Sequence, residues 1–170
     1  MGFCTLRGWI TAEERGGGCW LGRKSCCRGS APIACCVPFE NSIRINAVGA
    51  FLCCKECVPA MVARGRGTIL FTGATAGIKA GARSVAFGPG NFAKRGLAQS
   101  LARDLGPRGI HVAWINVDGA IDVPNRKIPE LGKDDMLSPD AIAETYWHLA
   151  HQDRSAWTME LEVRPFKEKF

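Results

Sequence analysis

Two short runs decide how this chain folds: Thr68-Ile-Leu-Phe-Thr72, followed at once by Gly73-Ala-Thr-Ala-Gly77, and Ile110-His-Val-Ala-Trp-Ile-Asn-Val117. Each has the length of a strand and is apolar through its centre rather than alternating, the pattern of a strand covered on both faces in a parallel sheet. Between them Leu97, Leu101 and Leu105, with Ala93, Ala98 and Ala102 beside them, recur at helical spacing. They predict a helix over about 85 to 105 that ends at Gly106-Pro107. Strand, helix, strand is a crossover unit, and its right-handed form places the two strands parallel and adjacent.

The pattern extends in both directions. Upstream, Ile43, Ala47, Ala50, Phe51, Cys54 and Val58 predict a helix over about 40 to 57 that closes near Pro59. Downstream, residues 122 to 137 are polar, punctuated by proline and without period, which predicts a long loop of the kind that shapes a site. Ser138-Pro-Asp140 then opens a helix: a serine for the N-cap, proline at the first helical position, and an acid at the positive end of the dipole. That helix would bury Ile142, Tyr146 and Leu149. Last, Trp157, Met159, Leu161 and Val163 alternate with Thr158, Glu160 and Glu162, a period of two that predicts a strand with one wet face. The order is that of an α/β fold, half of a doubly wound parallel sheet with flanking helices.

Size and composition narrow the class. At 170 residues and 18.4 kDa, with 46% apolar and 22% charged residues, the chain has the makings of one soluble globular domain. No apolar run in the sequence approaches the roughly 20 residues of a membrane span, so no membrane partner is expected. The formal charge of +6 is scattered and not interleaved with aromatics, so no nucleic-acid partner is expected either. All nine cysteines lie between Cys4 and Cys57, and Arg7-Gly8 interrupts the only apolar stretch near the N-terminus. Free thiols in a reducing, cytoplasmic compartment fit better than a secreted disulfide scaffold. Cys54-Lys-Glu-Cys57 is a CxxC, but Cys26-Cys27 and Cys35-Cys36 lack its gap and have no histidine nearby, so no metal site is expected. Residues 1 to 38 hold seven glycines and six cysteines without a sustained period and read as an irregular, unstructured head. Gly16-Gly-Gly-Cys-Trp-Leu-Gly22 within it comes after Ala-Glu-Glu-Arg, where a phosphate-cradling loop would come after a strand.

Five segments taken in order carry a resemblance: Asn46-Ala-Val-Gly49, Gly65-Arg-Gly-Thr-Ile-Leu70, Leu97-Ala-Gln-Ser-Leu-Ala-Arg-Asp-Leu-Gly106, Gly109-Ile-His-Val112 and Ser138-Pro-Asp-Ala-Ile-Ala143. Over about 39 to 165 the chain resembles the second half of a short-chain dehydrogenase/reductase. The resemblance implies a Rossmann-type sheet, here the equivalents of the family's fifth, sixth and seventh strands. It further implies NAD or NADP as cofactor, a small carbonyl or alcohol substrate, a catalytic set of Asn, Ser, Tyr and Lys, and homo-oligomers formed through the helices at 40–57 and 85–105.

Phe71-Thr-Gly-Ala-Thr-Ala-Gly-Ile78 also resembles that family's cofactor loop, TGxxxGxG. The segment downstream of it resembles the family's approach to its sixth strand, so 68–72 reads as the fifth strand. In that register Asn46 takes the Asn position, Ala74 the Ser position with Thr75 its nearest hydroxyl, Phe87 the Tyr position and Asn91 the Lys position. Phenylalanine has no exchangeable proton, and asparagine no charge with which to depress a phenol's pKa. Gly88, Pro89 and Gly90 predict a distorted helical turn there. The loop facing the nicotinamide reads Asp118-Gly-Ala-Ile121, which assigns Asp118, Gly119 and Ile121 to cofactor contact. The glycine-rich loop and its first strands are not identifiable. The expectation is therefore an oxidoreductase relative that is impaired or inactive as this chain; the alternative is a non-catalytic remnant that acts through helix-mediated association. In either case strand 68–72 would expose an apolar edge. His111 reads as a buried neutral histidine, and His148 with His151 as a helix-face pair without a third ligand.

Overall fold

A computed structural model of the chain describes residues 36–82, 84–124 and 131–168. Helix α1 (Cys36–Ile43) runs through a π-helical turn, Arg44–Gly49, into α2 (Ala50–Arg64). Strand β1 (Gly67–Ala74), α3 (Phe87–Leu105), β2 (Ile110–Val117), α4 (Pro139–Ala150) and β3 (Glu160–Val163) come next. The sheet is parallel throughout, in the order β1-β2-β3. β1 and β2 pair in register from Gly67↔Ile110 to Ala74↔Val117.

The two faces of β2 are shared between two helical layers. Ile110, Val112 and Trp114 pack with Phe71, Cys54 of α2 and Ala98 and Leu105 of α3. Ala113 and Ile115 face the other way, against Leu149 of α4 with Tyr146, Leu161 and Val163. Alternation of side chains along a strand makes this division automatic once both faces are covered. Trp114 is the largest wholly buried side chain, and two glycines make room for its ring: a Cβ on Gly73 would lie 2.3 Å from it and one on Gly77 2.9 Å. These are glycines of the stretch that resembles a cofactor loop. Here their bareness accommodates an indole.

Several expectations need correction. The first helix does not close near Pro59 but continues to Arg64, where Gly65 at φ 61 caps it. A proline costs a helix one hydrogen bond and crowds the carbonyl four residues back; Pro59 and Lys55 are exposed, so water can serve that carbonyl. Helix α1 starts at Cys36, three residues inside the stretch 1–38 expected to be irregular, while residues 1–35, with Gly16–Gly22 and Cys26-Cys27, lie outside the described residues. The 27-residue stretch Pro38–Arg64 is long and apolar enough, by length and composition, to cross a membrane, with Lys55 and Glu56 its interruptions from Ile45 to Val62. One side of it packs Cys54, Val58, Met61 and Val62 on the sheet, and the other leaves Ile45, Phe51 and Leu52 exposed.

The turn at Gly88-Pro89-Gly90 is regular helix, not distorted. These residues stand in the first turn of α3, where backbone N–H groups have no intrahelical acceptor, so proline removes nothing. Gly90 is needed for close approach, since a Cβ there would lie 2.5 Å from Ser42 Oγ. The last strand is shorter than its alternation predicts, starting at Glu160. Ahead of it Gln152 bonds both the backbone N–H and the hydroxyl of Thr158, and His111 Nε2 meets the Thr158 carbonyl at 2.8 Å, which takes that residue out of the ladder. Its acidic face is half-buried and hydrogen-bonded. Arg95 makes a bidentate ion pair with Glu160 (3.0 and 2.7 Å), and Asn116 donates to Glu162 at 2.8 Å.

Candidate functional site

Loops at the carboxyl ends of parallel strands are where α/β sheets place their sites. Here β1 ends at Ala74 and β2 at Val117, a matched pair, so the next residues, Thr75 and Asp118, emerge side by side. The Thr75 hydroxyl donates a hydrogen bond to Asp118 Oδ1. Asp118 is buried (6% exposed), and its own N–H donates to the Val163 carbonyl at 2.9 Å, tying it to β3. Above the pair opens a cavity of about 670 Å³ whose lining includes Ala74, Thr75, Ser84, Phe87, Asp118 and Gly119. Gly119 is held at φ 137, and a Cβ there would meet Pro165 Cδ at 2.8 Å, so a side chain is excluded on both grounds.

The fold thus brings together five of the residues singled out from sequence: Ala74, Thr75, Phe87, Asp118 and Gly119. It sets three apart. Asn91 is wholly buried, and its amide donates to the Phe87 carbonyl at 3.0 Å within the same helix. Asn46 stands on the π-helical turn, where its amide donates to the Ser42 carbonyl at 3.1 Å and its Oδ1 accepts from Lys94 Nζ at 2.9 Å. Ile121 belongs to a separate groove on the other face of the sheet, lined also by Leu70, Thr72 and Tyr146, and forms a bridge with Leu137.

Lys94 was not singled out from the sequence. It lies three residues beyond Asn91, and burial lowers its pKa from the usual lysine value. The signal was present as a lysine one turn along the same helix, but its reach to Asn46 is a tertiary contact. Tyr146 is the chain's sole tyrosine. Its hydroxyl is 2.9 Å from Thr72 Oγ1, and burial raises its pKa, so it is a neutral phenol; it lines the groove with Leu70 and Ile121 and not the cavity beside Phe87. His111 is buried, stacked on Trp157 at 4.9 Å. His151 packs on Trp147 and bonds its carbonyl at 2.8 Å. Among the described residues no three His, Cys, Asp or Glu side chains gather as metal ligands, and Cys53 and Cys54 are free thiols. Cys54 is pushed up to about 11 by burial and by its neighbouring thiols, which leaves it unreactive at neutral pH.

Gly73 near the end of β1 and Gly77 just beyond it leave room for Trp114, Asn91 holds a buried amide turned into its own helix, and Lys94 is engaged with Asn46.

Comparison with known proteins places these observations. The family model for short chain dehydrogenase matches residues 32–127. A curated relative, (21S)-21-acetoxyl-apo-melianone synthase SDR of Melia azedarach, is 30% identical over 128 residues, 68% of this chain and 47% of its own length. Among solved structures, a short-chain dehydrogenase from Rhodopseudomonas palustris superimposes with TM-score 0.63 at 36% identity, covering 76% of this chain and 53% of that one. A metagenomic short-chain oxidoreductase in complex with NADP superimposes with TM-score 0.59 at 26% identity, covering 74% and 50%. This chain spans about half the length of these relatives.

Proposed function

Because this chain belongs to the short chain dehydrogenase family, we propose that its cavity is the substrate-facing part of an NAD(P)-linked carbonyl/alcohol oxidoreductase site, and that the chain as it stands is impaired or inactive in that reaction. The observation that carries the second clause is Phe87: it lines the cavity where a proton-exchanging phenol is required and has no proton to give. Loss of a positioned general acid costs on the order of 10²- to 10⁴-fold in rate. Asn91, buried and uncharged, supplies no ammonium to make up the difference. Titration of the full chain with NADH and NADPH, monitored by cofactor fluorescence, tests the reading; no saturable micromolar binding is expected. Carbonyl reduction by the unmodified chain would overturn it.

A second reading is favoured by the exposed apolar face of the π-helical turn and α2. Ile45 (73% exposed), Val48, Phe51 and Leu52 stand in solvent, and Phe92 on α3 does likewise. A homo-oligomer formed through helices 40–57 and 85–105 would cover them. On this reading the chain acts through association alone, and light scattering across a dilution series would report a concentration-dependent mass.

A further inference from the structure

Helix α2 carries a thiol pair that neither the cavity nor the nicotinamide reaction uses. Cys53 and Cys57 stand four residues apart in a regular α-helix, Ala50–Arg64, and residues at that spacing are neighbours on one helix face, with Cβ atoms about 5–6 Å apart. Helical side chains lean toward the N-terminus, so Cys57 points back along the row at Cys53. Both are half-buried, at the border between the face packed on the sheet and solvent, while Cys54 is buried in the core. Three residues before the pair and three after it stand Ala50 and Ala60, whose methyl groups leave the two sulfurs room to hold a common atom.

The number of ligands selects what such a pair can hold. Zinc takes four protein ligands in a structural site and three in a catalytic one, and among the described residues no group of three His, Cys, Asp or Glu side chains is formed around the two thiols. A trivalent arsenic that carries its own organic substituent needs two sulfurs and no more. We propose that Cys53 and Cys57 form a two-thiol chelation site for monosubstituted trivalent arsenicals. In the step, a hydrated arsenical R–As(OH)2 exchanges both hydroxides for sulfur: two As–O bonds break, two As–S bonds form, each thiol proton leaves with a hydroxide as water, and the arsenic stays trivalent. Burial and the neighbouring thiols push Cys54 up to about 11, so it stays protonated and outside the exchange.

Titration with phenylarsine oxide, followed by intact-mass spectrometry, tests it on the full chain carrying Cys4→Ser, Cys19→Ser, Cys26→Ser, Cys27→Ser, Cys35→Ser and Cys36→Ser. One phenylarsenic group is taken up per chain, two thiols disappear from a thiol count, and the helical circular dichroism is unchanged because the bridge spans a single turn. Cys53→Ser and Cys57→Ser each weaken uptake by about 10²-fold or more, the avidity that a second linked bond confers, while Cys54→Ser leaves it unchanged. Should the chain with six serines fail to fold by circular dichroism, the three substitutions are made singly in the unmodified chain, where Cys53→Ser and Cys57→Ser each lower the uptake by one group and Cys54→Ser by none. No adduct, an adduct lost with Cys54→Ser, an unaltered uptake in Cys53→Ser or Cys57→Ser, or a fall in helicity on binding each overturns the proposal.

Discussion

β1 and β2 are parallel partners of equal length, with apolar centres that match residue for residue, yet they live in different surroundings. β2 is buried along all of its length except Val117, whereas β1 is half-buried, with Phe71 and Gly73 its buried positions. The difference lies in neighbours. β2 has a strand on each side and helices above and below; β1 has β2 on one side and, among the described residues, no strand on the other. The helix above that flank shows the same one-sidedness, with Cys54 buried and Phe51 exposed. An apolar run thus states what a strand requires, and the tertiary arrangement decides whether it receives it.

The contrast can be broken most severely at its buried end. Trp114→Ala empties the space beside Gly73 and Gly77 and should cost about 3–5 kcal/mol, read from urea denaturation; a loss of under 1 kcal/mol would mean that the centre of the sheet is not the stabilising core. Gly73→Ala attacks the same contact from β1 and should cost about 1–3 kcal/mol by overpacking, since its Cβ would fall 2.3 Å from the indole.

A smaller effect is expected where α3 is tied to β3. The Arg95 hydrogen bond lowers the pKa of the Glu160 carboxyl from 4.5. A carboxyl depressed in the folded state contributes stability that is present above its unfolded value and is lost as pH falls through its folded value. The wild type should therefore lose more stability between neutral pH and pH 3 than Glu160→Gln does, and parallel acid profiles would show that this pair contributes nothing. With side chains 27% and 24% exposed, the Arg95–Glu160 pair should show a coupling near 1 kcal/mol in a double-mutant cycle. The smallest change is expected at the open flank. Phe51→Glu should alter unfolding by no more than about 0.5 kcal/mol while lowering the mass seen by light scattering; a large destabilisation would show that this face is covered within the single chain.

Much of the fold was legible because its signals are local. The limits of β2 come from its apolar run, those of α3 from its leucines, and the start of α4 from Ser138-Pro-Asp140, although the Ser138 side chain makes no capping bond. Less legible were features in which a local penalty is cancelled by position: Pro59 inside a helix, and Gly88-Pro89-Gly90 at the start of one. Half of the site was legible in the same sense. Ala74, Thr75 and Phe87 could be placed by counting from β1, but that Ile121 lines a separate groove follows from the path of the chain after β2. The sequence also had no means of showing that Lys94 reaches Asn46 across two helices.

The sequence by itself determined the α/β class and the parallel order of strand and helix, because periodicity and side-chain identity are properties of the chain alone. Only the tertiary structure decided that Thr75 and Asp118, 43 positions apart, meet in a hydrogen bond beneath one cavity, and that Gly73 and Gly77 make room for Trp114. Distances between residues remote in sequence are set by strand register and by packing, and neither is written in any single segment.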